Sequence, residues 1–335
     1  SVMWEIIRPI FSITLTPLGV FSYTFLILDK DKRFLKTTFS TYISPKLIDQ
    51  MVDGKTVPKL GGDEDIHTAV FTDIQEFSRF SEQLTPTELV ELLNDYLTEM
   101  TNILLDNQGT LDKYIGDAIV AFYGAPVPVE DHEYKACLTA LLMQKKLYEL
   151  RKKWKTESKY WPNIVYNMQM RIGIHTGKMV TGNMGSKHRM NYTMMGDTVN
   201  LAARLESSAK QYGIYSQISE ETYLSIQDRI SVRELDHVRV FGKENPVKTY
   251  ELISLRGQEP EWYKQINEPF AKGIHHFQKG EFEKAKQLFE LTVENENMFD
   301  GRNINPSLLY VERCNMLIKK PPKEWDGIWS LTSKK

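Results

Sequence analysis

Apolar residues at Leu89, Leu92, Leu93, Tyr96, Leu97, Met100, Ile103 and Leu104 recur at the spacing of one helical face. Thr85-Pro86-Thr87-Glu88 stands just ahead of that stripe and supplies a capping box with proline at the first helical position, and Gly109 closes the segment. The period then shortens. Leu111–Ile115 and Ala118–Tyr123 read as two strands turning through Gly116-Asp117, and Ile66–Thr72 is a short β-rich run upstream. Glu130–Trp154 predicts a second long helix, Met170–Ile174 and Lys178–Thr181 a pair of strands around Gly177, and Asp197–Lys210 a third helix. Val232–Val240 and Val247–Ile253 predict the closing strands. Strands and helices in this mixed order imply an α+β fold, a sheet with helices on one face.

The two ends differ from this middle. Ile10–Leu28 holds nineteen consecutive residues without a charge, about 28 Å as a helix and close to the thickness of a bilayer's hydrocarbon core. Lys30, Lys32, Arg33 and Lys36 follow at once, which predicts a transmembrane helix in residues 1–28 and a cytoplasmic location for everything downstream. A signal peptide and a buried core helix, the latter kept open by Pro17 and Gly19, are the competing expectations. Residues 29–62 predict a juxtamembrane helix, with Phe34, Leu35, Phe39, Tyr42 and Ile43 at helical spacings, and then a linker. Gly61-Gly62-Asp63-Glu64 looks like the diguanylate cyclase signature, but it precedes the first expected strand instead of lying on a hairpin, so coincidence explains it better. Residues 256–335 predict a C-terminal helical tail, in which 270–289 resembles one tetratricopeptide-type hairpin. One such repeat cannot bury its own apolar face, so the tail is expected to pack on the rest of the chain or on a partner.

At 335 residues, 41% of them hydrophobic and 26% charged, the chain can bury one large core with attachments. A formal net charge of −2 gives no field that would draw nucleic acid, so no nucleic-acid partner is expected. Cys137 and Cys314 are alone and far apart, which offers neither a disulfide framework nor a zinc set.

Two carboxylates stand where short strands end in turns, Asp73 in Phe-Thr-Asp-Ile and Asp117 in Lys-Tyr-Ile-Gly-Asp. Oxygen ligands of this kind suit hard divalent cations, and a small neighbour lets phosphate approach. Either one alone is most simply a turn residue. Asn200 and Arg204 are four apart and share a helical face, where an amide and a planar guanidinium can hold a sugar and a phosphoryl group together. Spacing alone fits an exposed polar face as well.

Phe-Thr-Asp-Ile-Gln-Glu-Phe-Ser at 71–78, Lys-Tyr-Ile-Gly-Asp-Ala at 113–118, Arg-Ile-Gly-Ile-His-Thr-Gly at 171–177 and Gly-Asp-Thr-Val-Asn-Leu-Ala-Ala-Arg-Leu-Glu at 196–206 resemble, in order, the signatures of class III adenylate and guanylate cyclases. The resemblance covers residues 63–255 and implies that family's catalytic domain, a ferredoxin-like-related, antiparallel-rich sheet with flanking helices. It implies that Asp73 and Asp117, assisted by the Ile74 carbonyl, bind two divalent metal ions, Mg²⁺ or Mn²⁺. It implies that Lys113 and Thr193 read the purine, which favours ATP, because guanylate cyclases of the family typically place Glu and Cys there. By the same resemblance Asn200 orients the ribose, Arg204 stabilises the transition state, Lys243 binds the terminal phosphates and Arg189 adds a phosphate contact. Phe241 replaces the first lysine of the family's usual Lys-Gly-Lys, a departure at that phosphate site. The Lys/Thr pair occurs in a subgroup often linked with bicarbonate sensitivity, so bicarbonate is an expected effector. The implied reaction is in-line attack of the ribose 3′-oxygen on the α-phosphorus, with each active site shared across a homodimer. A guanylate cyclase, a catalytically inactive nucleotide- or bicarbonate-binding module, and a membrane scaffold acting through its tail stay open.

Overall fold

The structure, a computed structural model, describes residues 2–23, 59–157, 159–239, 246–296 and 304–330. The chain divides into two units, Ser1–Lys59 and Leu60–Lys335. In the first, α1 (Val2–Tyr23) is a helix with Pro9 and Pro17 inside it. It does not reproduce the expected span. It starts eight residues earlier than Ile10 and takes in Glu5 and Arg8, and residues 24–28 of the expected span lie outside the described residues. Among the described residues no helix is long and apolar enough to cross a membrane. The expected juxtamembrane helix lies outside the described residues.

The second unit is built on a mixed sheet of β1 (Gly61–Ile74), β2 (Thr110–Ile115), β3 (Ala118–Tyr123), β4 (Met170–Ser186), β5 (Arg189–Met195), β6 (Ser216–Ser219), β7 (Ile230–Arg239), β8 (Val247–Leu255) and β9 (Trp329–Ser330). The order is β2-β3-β1-β4-β6-β8-β7-β9, with β5 pairing β4. The β4–β6 and β7–β9 pairs are parallel and the others antiparallel. Alternation along β3 sets two cores: Ile119, Ala121 and Tyr123 face one way, Val120 and Phe122 the other. Short helices α2 (Phe77–Gln83), α5 (Asn163–Tyr166) and α7 (Glu220–Leu224) sit in the connections. Against the first face pack α3 (Pro86–Asp106), through Leu92, Tyr96, Met100 and Leu104, and α4 (His132–Thr156), through Ala136, Ala140 and Met143. The capping box expected at Thr85 and Glu88 is formed, and it fixes the start of α3.

The expectation of helices on one face is corrected. Helix α6 (Asp197–Tyr212) lies on the opposite side from α3 and α4, against Gly173 of β4. A Cβ at Gly173 would come within 2.2 Å of Glu206 N and 2.3 Å of Ala202 O, so only glycine admits the helix this close. Two strand expectations also change. The pair predicted around Gly177 is one continuous strand of 17 residues, β4. β1 is 14 residues long and begins at Gly61, so the Gly61-Gly62-Asp63-Glu64 segment is strand, paired with Asn183–Val180 of β4. The reason is mutual: the two long strands satisfy each other's backbone over the whole length, Gly61↔Asn183 to Ile74↔Met170.

Helices α8 (Glu261–Gln278) and α9 (Phe282–Glu296) form the expected helical hairpin, and α10 (Pro306–Lys319) follows. Phe270, Phe277, Phe289 and Tyr310 make its core. This tail packs on the sheet rather than standing apart: Tyr310 Oη donates to Leu235 O at 2.8 Å, and β9 adds a strand to β7.

Candidate active site

The β1 terminus and the β2–β3 turn bring two acids together. Gly116 takes φ +64° in that turn, which glycine adopts without strain, and Asp117 follows it. Asp117 is 6% exposed, and its Oδ2 accepts from Ile74 N at 2.8 Å, which ties the turn to the end of β1. Asp73 lies opposite Arg171 in the β1–β4 register, and Arg171 Nη2 donates to Asp73 Oδ2 at 2.7 Å. Arg171 Nε donates in turn to Glu206 Oε1 of α6 at 2.8 Å. Burial raises the Asp73 pKa against the opposing pull of Arg171. Burial pushes Asp117 up to about 6, with the Ile74 N–H opposing and the Asp73 charge adding to it. Glu206 is pushed up to about 7, again by burial.

A buried and a half-buried carboxylate, Asp117 and Asp73, that disfavour their own charge form a donor set that a hard cation stabilises. Their oxygen chemistry, with the backbone carbonyl of Ile74 between them in the chain, fits Mg²⁺ or Mn²⁺. Among the described residues no group of three or more His, Cys, Asp or Glu side chains is placed to hold a metal, so further ligands would come from substrate and water.

On β2 and β5 a second cluster forms. Lys113 Nζ donates to Thr193 Oγ1 at 3.2 Å, and Thr193 Oγ1 donates to Asp112 Oδ2 at 2.5 Å. The two residues predicted to read a purine therefore touch within one protomer. Asp112 lies beside them with its side chain 2% exposed.

The third group rides on α6. Gly196 precedes the helix, and Thr198 Oγ1 fastens its first turn to Lys178 O at 2.6 Å. Leu201 and Leu205 point inward, and Asn200 is exposed. Arg204 is half-buried, with Nη1 shielded from solvent and without a hydrogen-bond partner among the described residues. Arg189 is exposed at the start of β5, its backbone N donating to Ser186 Oγ at 3.2 Å in the β4–β5 turn. Lys243 lies outside the described residues.

Sequence reasoning missed Arg171, Glu206 and Asp112. Arg171 carried a signal, a lone cation inside the apolar run Met170–Ile174. Glu206 carried none beyond closing the 196–206 motif, and Asp112 none beyond preceding the 113–118 motif.

The family model described as "Adenylate and Guanylate cyclase catalytic domain" matches residues 63–254. Adenylate cyclase 1 of Rhizobium meliloti is 30% identical over 218 residues, which are 65% of this chain and 32% of that protein. The chain thus spans about a third of the length of that relative. The crystal structure of the adenylyl cyclase CyaB from P. aeruginosa aligns at 34% identity and TM-score 0.53, covering 60% of this chain and all of that one. The crystal structure of the guanylyl cyclase Cya2 aligns at 31% identity and TM-score 0.52, covering 59% of this chain and 97% of that one.

Proposed function

The chain belongs to the family of the adenylate and guanylate cyclase catalytic domain, and we propose that it converts ATP to 3′,5′-cyclic AMP and pyrophosphate. Shape alone does not choose between ATP and GTP, since an adenylyl and a guanylyl cyclase are similar to it in nearly equal degree. The observation that carries ATP is the Lys113–Thr193 pair, which meets at 3.2 Å although 80 positions separate the two residues. A cationic donor and a hydroxyl side by side suit adenine, whose N1 accepts and whose 6-amino group donates.

In this reading Asp73, Asp117 and the Ile74 carbonyl hold two divalent metal ions, Mg²⁺ or Mn²⁺. Bound there, the ions supply Lewis acidity for the ribose 3′-hydroxyl and charge neutralisation for the pyrophosphate. Lys113 and Thr193 fix the purine, and Asn200 orients the ribose. Arg204 stabilises charge on the phosphoryl group as it transfers, a role suited to a guanidinium nitrogen left without a partner among the described residues. Lys243 and Arg189 hold the terminal phosphates.

The active unit is a homodimer in which the acid pair of one protomer meets the purine, ribose and transition-state residues of its partner. Tyr114, Ile115 and Met195, at 44%, 59% and 61% exposure, flank Lys113 and Thr193 and support this, because a second copy would cover them. Bicarbonate stimulation is inferred from the Lys/Thr pair, and turnover at fixed pH in bicarbonate against chloride tests it. Membrane attachment with a cytoplasmic catalytic domain is inferred from the charge-free residues 10–28 and the basic residues after them, and cell fractionation tests it.

The deciding experiment is turnover of the full chain with ATP and with GTP, each with Mg²⁺ and with Mn²⁺, beside Asp117→Ala. Cyclic AMP formed from ATP and lost in the variant is the expected result. Cyclic GMP as the main product would overturn the assignment of Lys113 and Thr193, and no product from either nucleotide would overturn the enzyme.

A further inference from the structure

Asp112 is a buried carboxylate to which the reaction just described assigns nothing. An ionised carboxylate is costly to bury unless donors meet it, so what it contacts matters. Successive residues of a regular strand face opposite sides, and Asp112 should therefore turn away from Lys113. It does not. The β2–β3 register slips between Leu111 and Lys113, a bulge at Asp112 of the kind that re-aims a side chain. As a result Asp112 Oδ1 lies 3.3 Å from Lys113 Nζ, and Oδ2 accepts from Thr193 Oγ1 at 2.5 Å.

The arrangement has a direction. A threonine hydroxyl has one proton and two lone pairs. The Thr193 proton goes to Asp112, and one lone pair receives Lys113 Nζ–H at 3.2 Å. What remains for a ligand is one lone pair, an acceptor. Adenine offers a donor at its 6-amino group and an acceptor at N1, matching Thr193 and Lys113 in turn. Guanine in the same pose offers an acceptor at O6 and a donor at N1, and mismatches both.

We propose that Asp112 is a positioning residue for purine selection, which fixes the Thr193 hydroxyl as an acceptor and so makes the Lys113–Thr193 pair specific for a 6-aminopurine nucleoside triphosphate. The inference rests on the adenylate cyclase reading of this site. It differs from a packing role in one respect: although Oδ1 also lies 3.3 Å from Lys113 Nζ, the effect of Asp112 on purine preference runs through the Thr193 hydroxyl, whose proton it holds.

The test is a double-mutant cycle on the full chain, with kcat and KM measured for ATP and for GTP. Asp112→Leu keeps the shape and removes the acceptor, Asp112→Asn keeps a carbonyl acceptor, and Thr193→Val removes the hydroxyl. The ratio of kcat/KM for ATP over GTP is expected to fall by about tenfold or more in Asp112→Leu, mainly through a higher KM for ATP. Asp112→Asn retains most of the preference. In the Thr193→Val background, Asp112→Leu changes the ratio by less than about twofold, because the group it acts through is gone. An unchanged ratio in Asp112→Leu, or an equal fall in both backgrounds, overturns the proposal. If Asp112→Leu lacks a cooperative melt, Asp112→Ala in the same two backgrounds decides on the same criteria. A wild-type chain that makes no cyclic AMP defeats the cyclase reading itself, whereas an ATP preference that survives Asp112→Leu defeats only the role of Asp112.

Discussion

Arg204 carries an unmet demand: its Nη1 is buried without a partner among the described residues. An unpaired buried donor costs about 1–3 kcal/mol, and a developing phosphoryl charge would meet that demand at the moment of reaction. Arg204→Ala is expected to lower kcat by about 10³-fold and to leave the melting temperature unchanged or raised. Initial rates and a calorimetric scan check both halves, and a clear fall in melting temperature would show that the guanidinium is structural. Asp73, Asp117, Lys113, Thr193, Asn200 and Arg204 are legible in the sequence because four ordered motifs carry them or lie beside them. Arg171 is legible only as a question. A cation in a buried strand needs partners, and these stand 98 positions away at Asp73 and 35 away at Glu206. Asp112 is hidden for a different reason: strand alternation turns it away from Lys113, and only the bulge, which leaves no mark in the residues, turns it back.

At the scale of elements, α6 presents Asn200 and Arg204 only because β4 lets it lie close. Gly173→Ala would place a Cβ 2.2 Å from Glu206 N, a backbone atom that moves only with the helix. The expected cost is about 1–3 kcal/mol of stability from overpacking. A displaced helix also carries its side chains with it, so kcat is expected to fall by about 10²-fold. Denaturant titration and initial rates measure the two effects, and full activity in a destabilised variant would show that the site tolerates movement of α6. The long amphipathic helices are legible from periodicity and caps, α3 above all. The strands are less so. Gly177 reads as a turn but lies inside β4, and Gly62 and Gly182 pair across strands whose backbones approach too closely for side chains. β6, Ser216–Ser219, is buried at all four positions yet polar at three, so no hydrophobic pattern announces it.

At the scale of the molecule, the C-terminal helices close onto the catalytic sheet. A single helical hairpin cannot bury its own face, and here α10 and the sheet supply what further repeats would. Arg313 donates to Asp236 at 2.5 Å, Tyr212 at the end of α6 donates to the same carboxylate at 2.7 Å, and Trp329 packs on Leu201 and Leu205. Glu259, at the junction, accepts from Ser231 Oγ at 2.5 Å and from Gly257 N at 2.8 Å. These hydrogen bonds hold its carboxyl down at about 2, below the ordinary 4.5. A depressed acid contributes stability that is present above the ordinary value and lost as pH falls toward the folded one. Glu259→Gln is therefore expected to lower the melting temperature near neutral pH, by a margin that closes as pH falls from 4.5 to 2. A margin independent of pH would mean that shape, not charge, is what the junction needs. The proposed dimer makes a sharper demand. Asp117→Ala and Arg204→Ala damage opposite halves of a shared site, so each variant alone is expected to be inactive. When they are mixed and exchange at random, about half the dimers are heterodimers, each with one intact site and one doubly damaged site. About a quarter of wild-type turnover should then return, although no protomer in the mixture carries a complete set of residues. Mass spectrometry of differently tagged chains confirms the exchange, and no recovery despite it would place each site within a single protomer.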